Sequence, residues 1–208
     1  MTPSEIHQLV LESGSDHLKV FGGKRYGGVN LQQVPDEITP CLYYLYVSGL
    51  VKTYLEVGAA SGGLTYIVNK VLQPKAIVLV DNNLHGKSVY RKHILESVKR
   101  VEIIGNSQSS GTVKQVQLLH TMFDLVVVDA DHRYHGVKQD IENYKSYCSH
   151  FLLLHDTIAC KGVKKAKEEF ENDSEFSLAR EFISTEHRQP LGIALFRRNG
   201  RWNSQGKK

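Results

Sequence analysis

The stretch Tyr54-Leu55-Glu56-Val57-Gly58-Ala59-Ala60-Ser61-Gly62-Gly63 restricts this chain more than any other. An apolar run closes on a carboxylate, breaks into small residues and passes straight into the helical pattern Leu64 to Val71. A strand, a glycine turn and a helix N-terminus in succession make a socket where backbone approaches a ligand closely. A second apolar run, Ala76-Ile77-Val78-Leu79-Val80, ends in Asp81. An acid there suits the hydroxyls of a ribose. Together the two runs predict an adenosine-bearing cofactor.

Size and composition narrow the classes further. The 208 residues suffice for one α/β domain with short additions. A hydrophobic share of 41% with 23% charged residues separates the chain from disordered sequences. No apolar run approaches the ~20 residues of a membrane span. The start, Met1-Thr2-Pro3-Ser4-Glu5, lacks the basic and then apolar profile of a signal peptide. Cys41, Cys148 and Cys160 are odd in number and have no metal-ligand spacing, so they read as free thiols in a reducing cytoplasm. A net charge of +4 and a pI near 8.8 are too mild for a dedicated nucleic-acid binder. Much of the excess is in Arg197, Arg198, Arg201, Lys207 and Lys208, which read as a frayed basic tail.

Along the chain, residues 3–13 form a short amphipathic pattern on Ile6, Leu9 and Val10, and helical periodicity resumes from Pro35 to Gly49. Between them lies the glycine-rich Phe21–Gly28, a candidate lid with a merely mobile loop as the alternative. Strands are expected at Thr53–Val57, Ala76–Asp81, Val101–Ile104, Phe123–Asp129 and Phe151–His155. Helices fall near 62–71, 86–99, 110–120, 135–147 and 161–172. Phe176–Ile183 and Gly192–Arg197 would add a closing antiparallel hairpin. The alternation predicts a doubly wound, mostly parallel sheet. Residues 1–50 would carry the N-terminal helices and the glycine-rich segment, 51–198 the α/β domain and 199–208 the tail.

In such a sheet ligands bind beyond the carboxyl ends of the strands, where the strand order reverses. The fourth strand leads into Asp129-Ala130-Asp131-His132 and the fifth into His155-Asp156-Thr157. Asp129 and Asp156 could share a hard cation such as Mg²⁺, lowering the pKa of a bound hydroxyl, and His132 could take the hydroxyl proton. Simpler roles compete. Asp156 and Asp131 could cap the helices that follow, and His155 could be a hydrogen-bonded core histidine. Asp129 resists such a reading, because a carboxylate directly after Val126-Val127-Val128 is costly unless paired or solvated.

The ordered set of segments resembles the class I S-adenosylmethionine-dependent methyltransferases, which implies their Rossmann-like fold, a doubly wound, mostly parallel seven-stranded sheet of order 3-2-1-4-5-7-6 with a closing antiparallel hairpin. It is most similar to the small group related to macrocin-type sugar O-methyltransferases and cephalosporin hydroxylase-like proteins. The resemblance is carried by Leu31–Glu37, Leu55–Gly58 with Ser61-Gly62-Gly63, Gly105-Asn106-Ser107, Asp129 through His132 and Gly136 to Asp140, and His155-Asp156-Thr157. It implies that Gly58, Ala59, Ala60, Ser61 and Gly62 lie under the amino-acid part of the cofactor, with Asp129 beside them. It implies that Glu56 orients that loop or the ammonium, that Asp81 holds the ribose, and that Asn82 and Ser107 lie near the adenine. It places Asp129, His155 and Asp156 at the family's metal position and His132 as general base. One departure stands out. The relatives often carry an acidic pair after the fifth strand, and this chain has His155-Asp156. A neutral imidazole is a weak partner for Mg²⁺, which leaves a softer divalent cation or none.

The acceptor implied is a hydroxyl of a small molecule or saccharide, with no membrane span and no nucleic acid as partner; a homodimer is compatible with the sequence. Three rival readings remain. A nicotinamide-dependent oxidoreductase would want glycine at position 60, where this chain has Ala60. A nucleic-acid base methyltransferase would want an Asn/Asp-Pro-Pro-aromatic run where Asp129-Ala-Asp-His132 stands. A binding module could keep the cofactor and lack turnover.

Overall fold

Every apolar run picked out above becomes a strand of a single sheet. A computed structural model describes residues 1–13, 31–84, 91 and 99–200. The strands are β1 (Thr53–Val57), β2 (Ala76–Asp81), β3 (Lys99–Ile104), β4 (Phe123–Val128), β5 (Cys148–His155), β6 (Phe176–Phe182) and β7 (Ile193–Arg198). Their spatial order is β3-β2-β1-β4-β5-β7-β6. The first five pair in parallel, and β7 runs antiparallel to both β5 and β6. This is the Rossmann-like sheet expected from the sequence.

Among the described residues, the α-helices that cover it are α1 (Pro3–Glu12), α2 (Pro35–Ser48), α3 (Gly63–Leu72), α4 (Ser110–Gln117), α5 (Tyr134–Tyr144) and α6 (Lys161–Phe170). The central strands alternate side chains between two apolar layers, which is why both of their faces are apolar in sequence. On one face Ile77, Leu79, Leu125, Val127 and Leu153 pack with Ile6, Val10, Ile38, Leu42 and Ile67. The N-terminal helices thus share a core with the sheet. On the other, Val80, Val126, Val128, Leu152 and Leu154 pack with Val137, Ile141, Val163 and Phe170. Among the described residues, no helix is long and apolar enough to cross a membrane.

Several boundaries move. β3 begins at Lys99 and β5 at Cys148, both earlier than expected, because their first residues are polar. The helix expected over 86–99 lies outside the described residues apart from Arg91 and Lys99, and Lys99 belongs to β3. Arg197 and Arg198 are part of β7, so they do not belong to a tail. Arg198 donates to the Cys148 carbonyl at 2.6 Å and also to Glu175. The glycine-rich segment 21–28 and residues 201–208 lie outside the described residues.

Two contacts position the loops around the site. Glu37, wholly buried on α2, accepts from the Ser184 amide at 3.0 Å and the Gly192 amide at 2.9 Å, which fixes the β6–β7 connection. Gly162 allows α6 to press on the loop before α5: a Cβ there would lie 2.5 Å from the Tyr134 nitrogen and 2.9 Å from the Arg133 carbonyl carbon.

Candidate active site

A cavity of about 330 Å³ opens at the carboxyl ends of β1, β4 and β5. Glu56, Gly58, Ala59, Ala60 and Leu64 form one wall, and Asp129, His132, His155 and Asp156 another. A neighbouring cleft of about 240 Å³ is lined by Asn82, Asn106, Ser107, Gln108, Ala130, Asp131, His132 and Arg133. His132 borders both. Ser61, Gly62 and Asp81 line neither, although sequence reasoning grouped them with the rest.

The loop after β1 turns sharply because Gly58 (φ 97), Ala60 (φ 44) and Gly62 (φ 85) all have left-handed backbone. Ala60 thus occupies a conformation that glycine favours, at the position where a nicotinamide fingerprint would carry glycine. The Asp81 carboxylate holds this loop. Its Oδ2 accepts from the Ala60 amide at 2.8 Å and its Oδ1 from the Asn83 amide at 2.6 Å. Arg91, fully buried, donates to the Ala60 carbonyl and to Glu102, and its Nη1 lies 3.7 Å from Asp81 Oδ1. Nothing in the sequence marked Arg91 or Glu102.

Glu56 is buried at the end of β1, where Tyr54 donates to its Oε2 at 2.8 Å and the Thr65 hydroxyl donates to the same oxygen. Burial outweighs both bonds and pushes the carboxyl up to about 8. In the neighbouring cleft, Tyr144 donates to the Ser107 carbonyl at 2.8 Å and Gln108 to Asp131 Oδ2 at 3.2 Å. Behind it stands Asp140, wholly buried, with neither carboxylate oxygen hydrogen-bonded and its carboxyl pushed up to about 6 by burial.

Four titratable groups meet across the larger cavity. His132 Nε2 lies 3.3 Å from Asp129 Oδ1 and 3.1 Å from Asp156 Oδ2. His155 Nδ1 lies 3.4 Å and 3.5 Å from the same two oxygens. Carboxylates and imidazoles therefore alternate. Burial alone would raise Asp129, but His155 and His132 outweigh it and hold its carboxyl well below the usual range. The hydrogen bond to Asp129 raises His132 against partial burial. His155 is pushed up to about 10: burial opposes the shift, and Asp129 and then Asp156 override it. His155 is buried and in ion-pair range of both acids, yet neither ring nitrogen makes a hydrogen bond. It is a buried, ion-paired histidine held between two carboxylates.

The capping roles separate. α6 takes Cys160 as N-cap residue, so Asp156 does not cap it. Asp156 instead adopts a left-handed φ of 61 that aims its carboxylate at the two imidazoles. Asp131 accepts from the Arg133 amide at 2.9 Å and pairs with its guanidinium at 2.6 Å, shaping the turn into α5. Sequence reasoning gave no role to Gln33, which donates to Asp129 Oδ2 at 3.4 Å, or to Gln32, Gln189 and Leu191, which complete the cavity. Gln189 and Leu191 are far along the chain, and only the β6–β7 connection brings them here. Cys160, half-buried, stands beside His132 and Asp156. Burial, then Asp156 and Asp129, raise its thiol, so it is not an activated nucleophile.

Residues 55–157 match the family model described as "Methyltransferase domain". No curated protein matches the sequence. Among solved structures, the chain is similar to an O-methyltransferase from Bacillus cereus in complex with S-adenosylhomocysteine (SAH), with TM-score 0.64 and 10% identity over 93% of this chain and 90% of that one. It is similar to TomG from Streptomyces achromogenes, an O-methyltransferase of tomaymycin synthesis solved with S-adenosylmethionine (TM-score 0.63, 12% identity, 94% and 90% covered). It is also similar to the N-methyltransferase NodS from Bradyrhizobium japonicum in complex with SAH (TM-score 0.57, 16% identity, 94% and 99% covered). At these identities the likeness is one of fold.

Proposed function

We propose that this chain, whose residues 55–157 form a class I S-adenosylmethionine-dependent methyltransferase domain, passes a methyl group to a hydroxyl of a small molecule or sugar. The observation that carries the reading is the shared cavity, with the Gly58 loop on one wall and a histidine–carboxylate cluster on the other. The names of the two O-methyltransferases of like fold support oxygen as the acceptor atom.

The residues suit the cofactor. Glu56 and Asp129 offer carboxylates to its ammonium, and Asp81 stands at the loop that would border its ribose. Asn82, Ser107 and Gln108 supply polar groups for the edges of an adenine in the adjoining cleft. When bound, S-adenosylmethionine supplies an electrophilic methyl on a sulfonium centre. In its neutral form His132 would take the acceptor's proton as the oxygen–methyl bond forms and the sulfonium–methyl bond breaks, and the Asp129 and Asp156 carboxylates beside Nε2 would hold the resulting imidazolium. Alignment of acceptor and methyl within the cavity supplies most of the acceleration, up to ~10 kcal/mol.

Mg²⁺ does not fit the donor set that the family resemblance would assign to it. It demands near-octahedral oxygen ligation, and here an imidazole of His155 stands between Asp129 and Asp156.

The test is transfer of labelled methyl from the cofactor to a panel of sugars, phenols and amines. Label on a hydroxyl is expected. Label confined to amines, or none on any acceptor while SAH binds, would overturn the reading.

A further inference from the structure

We propose that Arg91 is a positioning residue for the methyl donor: with Asp81 it holds Ala60 by its carbonyl and amide in a left-handed conformation, and so shapes the wall that takes the amino-acid part of the cofactor. The inference rests on the proposed function, which gives that wall to the donor.

Ala60 has a φ of 44, which glycine adopts freely and alanine avoids. Such a conformation persists only where the surrounding contacts over-determine it. Here both backbone polar groups of the residue are held. Its amide donates to Asp81 Oδ2 at 2.8 Å, and its carbonyl accepts from Arg91 Nη1. The same Nη1 lies 3.7 Å from Asp81 Oδ1, so the two holders pair with each other. Arg91 is anchored from behind. Its side chain is wholly buried, and its Nε and Nη2 both donate to Glu102 Oε1, the first at 2.7 Å. A buried guanidinium is costly unless its charge and its donors are matched; Asp81, Glu102 and the Ala60 carbonyl match them. Ala60 follows β1, Asp81 ends β2 and Glu102 lies on β3, so the clamp ties the loop to adjacent strands. A planar, forked guanidinium can span such partners, where a lysine ammonium is a single point of charge.

Ala60 lines the larger cavity together with Glu56 and Gly58, and Arg91 does not. Arg91 therefore acts on the donor only through Ala60. Without the clamp, alanine relaxes toward negative φ and turns its amide and carbonyl away from their present directions. A glycine at position 60 keeps the left-handed turn unaided. The clamp and a glycine are thus alternative ways of building one turn.

Calorimetric titrations with SAH, and with methylthioadenosine, which lacks the amino-acid part, test the proposal. The proteins are the wild type, Arg91→Met and Glu102→Gln, each variant made with Ala60 kept and with Ala60→Gly. Arg91→Met is expected to bind SAH about tenfold more weakly than the wild type and methylthioadenosine within about threefold of it. Ala60→Gly added to Arg91→Met is expected to restore most of the SAH affinity. Glu102→Gln keeps the guanidinium and loosens its anchor, so it carries the same test with a smaller loss should Arg91→Met not fold. Equal losses for the two ligands would make Arg91 a merely structural residue and overturn the proposal. Unchanged SAH affinity in the variants, or no rescue by Ala60→Gly, would overturn it as well. In each of those cases SAH binding by the wild type leaves the methyltransferase reading intact. A wild type that does not bind SAH would overturn that reading and the clamp with it.

Discussion

Gly58 lies directly against the backbone of Asp129. A Cβ at Gly58 would enter the Asp129 carbonyl group and come within 2.7 Å of Ala130 Cα. The Asp129 amide in turn donates to the Val57 carbonyl at 2.8 Å. The turn proposed to hold the methyl donor and the acid proposed to support the base are thus one packed unit.

Gly58→Ala would need both a left-handed alanine and displaced backbone. We expect a loss of about 3 kcal/mol or more of stability. Urea denaturation and SAH titration check this. A variant with wild-type stability and affinity would show that the contact tolerates a side chain.

Glu56 gives a pH signature. Its folded-state value of about 8 stands above the ordinary 4.5, so the folded protein keeps a proton that the unfolded chain releases. The stabilising effect is full below 4.5 and is lost as pH rises toward 8, by up to ~1.4 kcal/mol per pH unit. Glu56→Gln is expected to flatten the pH dependence of denaturation between those values. An ammonium placed beside Glu56 favours its charged form, so SAH binding near neutral pH should release nearly one proton. Calorimetry in buffers of different ionisation enthalpy reads this. A heat independent of buffer would contradict the placement of the ammonium.

His132→Ala should lower turnover by roughly 10²–10⁴ while SAH affinity stays unchanged. Full activity of the variant would remove His132 as the base, and a parallel loss of SAH affinity would assign it to the cofactor.

The strands could be read because their apolar runs are buried on both faces, and their order follows from the family resemblance. β1 and β2 begin and end where those runs do. β3 and β5 were read short, because Lys99-Arg100 and Cys148-Ser149-His150 carry polar groups at a strand end, where burial does not select apolar residues. Asp129, His132, His155 and Asp156 could be read as one cluster, since parallel strands in register bring their carboxyl ends together. Arg91, Gln189 and Leu191 could not. Each is placed by tertiary contacts that leave no local pattern in the sequence.

Titration of SAH into the wild type and Asp81→Ala tests the cofactor assignment most directly. Asp81 holds the Ala60 and Asn83 amides, and the proposed function gives it the ribose. One-to-one binding to the wild type is expected, weakened about tenfold or more in the folded variant. No heat of binding with the wild type, or equal affinity in the two proteins, would contradict the account.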